Sequence, residues 1–206
     1  MNPWWVTAIA GVVYGCASFL AIQLGGAVCA KVVPFADGPR PGRPPVVMLV
    51  AGSAICGASL SVRGADVPSL GLAGLLVAAL AACWYSDVRC GIVPDMFTLV
   101  PLGIVLAIAV LMRNPAPFVA ATVVFVPFAV AAALSHGRGM GWGDVKLVAL
   151  GAAVLPLQSA MLAFSGACIV AVVVAAARRK RTEPVAFAPY LSAAMAVTLA
   201  FPVFPQ

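Results

Sequence analysis

The sequence predicts an all-α, polytopic membrane bundle of about eight transmembrane helices, and three observations carry that prediction. Of the 206 residues, 64% are hydrophobic and only 9% are charged, too few charges to give a water-soluble domain its polar shell. No charge precedes Lys31, and residues 67–86, 114–135, 147–177 and 184–206 contain no Asp, Glu, Lys or Arg. A helix crossing the ~30 Å hydrocarbon core needs roughly 20 apolar residues, and several stretches meet that length.

Apolar segments fall at about 4–26, 46–62, 69–86, 96–112, 117–134, 145–156, 158–177 and 185–204. The first opens Met1-Asn2-Pro3-Trp4-Trp5, without the basic start of a secretory signal peptide; its tryptophans suit an interfacial anchor on a retained helix. The breaks between segments carry turn chemistry: Pro34 to Pro45, Gly91 to Pro94, Asn114-Pro115, and Gly137 to Gly143. The run 145–177 is the one ambiguous case. As one helix it would be ~50 Å long, too long for the bilayer without severe tilt. Pro156 lies in it, where proline breaks or kinks a helix, so two helices are expected. Residues 1–66 then form an N-terminal two-helix segment with a short cytoplasmic loop, and 67–206 a six-helix core.

The net charge of +6 reads as membrane topology rather than nucleic-acid binding. With eight spans and residues 28–45 in the cytoplasm, that side receives Lys31, Arg40, Arg43, Arg89, Arg138, Lys146, Arg178, Arg179, Lys180 and Arg181. The outside receives Arg63 and Arg113, so ten of the twelve basic residues lie on one side, as the positive-inside rule requires. Both chain ends lie outside, and the 178–181 cluster is an anchor for anionic lipid. The six cysteines, Cys16, Cys29, Cys56, Cys83, Cys90 and Cys168, form no CxxC pair and read as small buried apolar residues.

Six acidic residues are present: Asp37, Asp66, Asp87, Asp95, Asp144 and Glu183. Asp87 closes the third predicted span, Asp95 opens the fourth and Asp144 opens the sixth. Carboxylates at membrane depth are costly and point to function. Helix capping alone could explain Asp95 and Asp144. It does not explain Asp87, which sits at a helix C-terminus where the dipole disfavours negative charge. The cytoplasmic loops Asp87–Asp95 and Gly137–Asp144 face the same surface. In the second, glycine occupies every other position, Gly137, Gly139, Gly141 and Gly143. An extended chain would carry those glycines on one face, where a peptide backbone could approach closely; a flexible hinge or tight helix packing would also use them. His136 is read as a surface residue.

Gly141-Trp142-Gly143-Asp144 matches the GxGD signature of intramembrane aspartic proteases. The longer stretch Gly139 to Leu147 resembles its prepilin peptidase form. Ser86-Asp87-Val88-Arg89-Cys90-Gly91-Ile92-Val93-Pro94-Asp95 looks like the first motif of the type IV prepilin peptidase family, and Phe187-Ala188-Pro189-Tyr190-Leu191 is a weaker third similarity. The two motif aspartates are 57 positions apart with two spans between them. The resemblance covers about residues 69–204.

The resemblance implies a membrane aspartic endopeptidase that removes the leader peptide of type IV prepilins or pseudopilins at the cytoplasmic face. Asp87 and Asp144 would be its catalytic pair. Gly139, Gly141, Gly143, Asp95, Lys146 and Pro189 are candidate substrate contacts, with Asp95 alternatively a helix cap and Lys146 alternatively a bias on the pair's ionisation or a headgroup contact. Two carboxylates in one site share a proton: the ionised one activates water and the protonated one donates to the scissile carbonyl. Larger bacterial members carry a zinc-binding insertion with paired CxxC motifs between the first two spans. Here that loop holds the single Cys29, so no metal or other cofactor is expected, and methylation of the product's amino terminus has no sequence marker. The implied partners are prepilin or pseudopilin helices and the lipid bilayer, with no nucleic acid. Three other readings use the same residues: a GxGD protease cutting within helices, a catalytically silent subunit of a pilus or type II secretion machine, and a proton-coupled transporter.

Overall fold

In lipid, an unpaired backbone N–H or C=O costs several kcal/mol, so long apolar runs are driven into helices. The computed structural model describes residues 4–32, 45–134, 141–177 and 187–201. Over them the chain forms α1 (Trp4–Val32), α2 (Val46–Val62), α3 (Val67–Cys90), α4 (Leu99–Leu111), α5 (Ala116–Leu134), α6 (Trp142–Val154), α7 (Leu157–Ala177) and α8 (Ala188–Ala200). A 3-10 turn, Asp95–Phe97, joins α3 to α4. No strand occurs among the described residues. The protein is an all-α helical bundle, as its composition predicts.

Helices α1, α3, α5 and α7 are long and apolar enough to cross a membrane, whereas α2 has 17 residues and α4, α6 and α8 have 13 each. A 13-residue helix spans only about 20 Å. Large apolar side chains such as Leu20, Val119, Val126, Ile169 and Val172 are exposed on the outside of the bundle, which suits a lipid-facing surface. This is a multi-pass membrane protein.

The helix ends follow local chemistry. Gly91 terminates α3 with φ 67° and donates its N–H to the Asp87 carbonyl at 2.8 Å; only glycine adopts that left-handed conformation without strain. At Leu155 the backbone becomes extended (ψ 147°), and Pro156 follows before α7 begins. The run 145–177 is therefore two helices.

Helix α3 is central. Its buried Leu76, Leu80, Ala82 and Cys83 join one core with Leu147, Val148 and Leu150 of α6 and Leu191 and Met195 of α8. Ser192 Oγ of α8 donates to the Leu80 carbonyl of α3 at 3.4 Å. From α1, the Tyr14 hydroxyl donates to the Leu70 carbonyl at 2.5 Å, fixing the N-terminal helix against the start of α3.

One sequence expectation is corrected here. Cys29 of α1 and Cys90 of α3 are disulfide-bonded, with Cα atoms 6.2 Å apart, instead of being isolated apolar residues. Adjacent packing of α1 and α3 brings residues 61 positions apart into bridging range, which spacing along the sequence does not reveal. Cys16, Cys56, Cys83 and Cys168 are free thiols. Protein purified without reductant, denatured and labelled with a maleimide mass tag should therefore count four thiols, and six after reduction. Six tags before reduction would show that the bridge is absent.

Candidate active site

Asp87 lies in the last turn of α3 and is buried, 8% exposed. Its own helix presents negative dipole there, so the carboxylate needs help from elsewhere. It comes from α8, whose first residue, Ala188, donates its backbone N–H to the Asp87 carboxylate. Pro189 follows Ala188 in the first turn of α8, a position where a missing N–H breaks no helical hydrogen bond. The stretch Phe187-Ala188-Pro189 thus builds a helix start against Asp87.

Asp144 is the third residue of α6 and equally buried, at 8%. It accepts the backbone N–H of Gly141, the residue that caps α6. A carboxylate at the third helical position reaching back to the cap is half of a capping box, and the negative charge complements the helix dipole.

The two acids, remote in sequence, are brought together. Asp144 lies within Coulombic reach of Asp87, and Cys83, one turn before Asp87, lies within reach of both. Asp87 Oδ2 and Asp144 Oδ1 are buried without a hydrogen-bond partner among the described residues. Buried polar atoms are nearly always paired, so an oxygen without a partner among the described residues, one on each carboxylate, is open to a further polar group.

The loop after α3 rests on the start of α6. A Cβ added to Gly143 would lie 2.7 Å from Val93 Cβ, so glycine is required by close approach. Gly143 lies within the first turn of α6 and Gly141 caps it, so the expected extended glycine track does not continue through them. Asp144 bonded back to Gly141 favours helix from Trp142 onward. Asp95 does not cap α4: its carboxylate pairs with Lys146 of α6, Nζ to Oδ1 2.6 Å. The Asp95 carbonyl accepts the N–H and hydroxyl of Thr98 at 3.2 and 3.3 Å, which closes the 3-10 turn ahead of α4. The ion pair is 28% exposed at lysine and 60% at aspartate, so it contributes only about 0–1 kcal/mol to stability. Gly139, His136 and the cluster Arg178–Arg181 lie outside the described residues.

Comparison with known families now has a geometry to meet. Residues 74–176 match the type IV leader peptidase family, half of the chain and the half that carries both buried aspartates. The chain belongs to the type IV leader peptidase family. Curated proteins and solved structures give no match.

Within this leader peptidase family member, the matched region runs from α3 into α7 and leaves out α8, although α8 supplies the N–H that meets Asp87. Sequence reasoning placed Pro189 at the site but missed the Ala188 N–H and Val93. The signal for the first was the proline itself, which marks a helix start. For Val93 there was none beyond its place in the loop.

Gly143→Ala should push the loop after α3 away from α6 and lower the melting temperature in detergent, an overpacking cost of about 1–3 kcal/mol. Adding Val93→Ala should not rescue it, because alanine keeps the offending Cβ, whereas Val93→Gly should. Equal behaviour of the two double variants in a thermal-shift series would refute the contact.

Proposed function

We propose that this peptidase-family membrane protein is an aspartic endopeptidase, with Asp87 and Asp144 as its catalytic pair. It removes the N-terminal leader of type IV prepilins or pseudopilins at the cytoplasmic face of the inner membrane. The observation that carries the reading is the pair of orphaned oxygens, Asp87 Oδ2 and Asp144 Oδ1, on two buried carboxylates within Coulombic reach of each other.

The chemistry follows from that pair. Two buried carboxylates within Coulombic reach of each other do not both ionise cheaply, so the pair holds one proton. The ionised member takes a proton from a water, which attacks the scissile carbonyl. The protonated member donates to the developing oxyanion and then to the leaving amine. Each acid keeps its other oxygen on a backbone N–H, of Ala188 or Gly141, which fixes orientation without consuming the working oxygen. Apparent acid constants belong to the pair.

Charge supports the orientation. Lys31, Arg89 and Lys146 lie near the end of the bundle that carries the aspartates, whereas Arg63 follows α2, over the Phe201 ring that follows α8, 5.9 Å to its centroid. By the positive-inside rule this distribution supports a cytoplasmic site. The substrate is itself a membrane helix and enters laterally, between lipid-facing helices. Gly139 and Pro189 are the positions where its backbone would pass, Gly141 and Gly143 being taken up by the start of α6 and its contact with Val93.

Co-expression with a prepilin, followed by mass spectrometry of the mature amino terminus, tests cleavage, site and methylation together. Asp87→Ala and Asp144→Ala should each lower processing by at least on the order of 10²–10⁴-fold while the protein still accumulates in membranes. Retention of processing by both purified variants would end the assignment.

A further inference from the structure

The loop after α3 meets α6 at two points, and the two points share a face. Gly143 and Lys146 are three residues apart, so they lie one above the other on α6. Opposite them stand Val93 and Asp95, two residues apart in the loop. One contact is steric, the missing Cβ of Gly143 against Val93. The other is ionic, Lys146 Nζ on Asp95 Oδ1 at 2.6 Å. Asp144 lies about 100° further round the helix axis from Gly143, off this face.

The aspartate of the ionic contact is held from behind. The Asp95 carbonyl is gripped by the Thr98 N–H and hydroxyl, and Phe97 in the same turn is buried in the core. Lys146 sits early in α6, near the positive end of the helix dipole, where a cation is disfavoured. Its presence there serves its partner rather than its helix.

We infer that Asp95 and Lys146 are positioning residues: their ion pair fixes the rotation of α6 about its own axis, and thereby where Asp144 points relative to Asp87. This rests on the peptidase reading for its kinetic consequence, but the positioning itself does not. Neither residue contacts the scissile bond. Each acts through α6, which carries Asp144 round with any rotation. Because the pair is a partly exposed surface one, its loss can shift the balance of α6 rotations by no more than about fivefold, and the kinetic effect is of that size.

The full-length protein in lipid vesicles, with a prepilin as substrate, tests this. Asp95→Ala and Lys146→Ala should each lower kcat by about two- to fivefold with KM unchanged. The exchanged pair, Asp95→Lys with Lys146→Asp, should recover most of the loss. A raised KM with kcat retained would instead make these residues substrate contacts, and an exchanged pair no better than the worse single variant would remove the ionic contact from the account. Carbodiimide labelling of Asp144, read by mass spectrometry, gives a measure independent of cleavage. It should quicken in both single variants and return towards the starting rate in the exchanged pair. If the unaltered protein cleaves no prepilin but labelling follows this pattern, the peptidase reading falls and the positioning role stands; labelling indifferent to all three variants overturns the role.

Discussion

Two carboxylates kept out of water at one end of an apolar bundle constrain everything near them. An ionised side chain loses several kcal/mol of solvation on burial, even after the protein relaxes. The bundle offsets this with helix starts. The first residue of α8 donates to Asp87, and the cap of α6 donates to Asp144. That requirement selects the topology: α3 must end where α6 and α8 begin. It also accounts for the glycine and proline content of those ends, because each must let backbone come close to a carboxylate or to the neighbouring loop.

Much of this was legible in the sequence. Charge-free runs and Pro/Gly breaks placed most helix ends to within about four residues, although α1 runs six residues past its expected end, and Pro156 divided the run that length alone left ambiguous. The two motif aspartates were singled out because one of them, Asp87, made no sense as a cap on its own helix. That anomaly was read as a functional signal; its physical relief lies in α8 and could not be read from Asp87's neighbours. The alternating glycines misled for a related reason. Spacing of two suggests an extended strand, but Asp144 bonding back to Gly141 pulls Trp142 and Gly143 into helix. Pairings between distant positions, Cys29 with Cys90 and Asp95 with Lys146, depend on which helices are neighbours, and that is a property of the packed bundle.

The family match and the packed unit have different edges. Residues 74–176 carry the family's signature, while α1 is bound to α3 by the Cys29–Cys90 bridge and by the Tyr14 hydrogen bond to Leu70. The bridge closes only three residues beyond Asp87, so the N-terminal helix holds the same end of α3 that carries the acid. Helices outside the matched region thus brace it from both sides, α1 through covalent and hydrogen-bonded ties and α8 through the N–H at Asp87 and the Ser192 contact to Leu80.

The place of α8 in the chain has a consequence for biogenesis. Ribosomes deliver α3 and α6 to the membrane first, and α8 only afterwards. Until that later helix docks, Asp87 faces the unfavourable end of its own helix without the N–H that α8 supplies. The arrival of α8 is thereby written into the electrostatics, and a chain lodged in the bilayer without it lacks the arrangement that its docking provides.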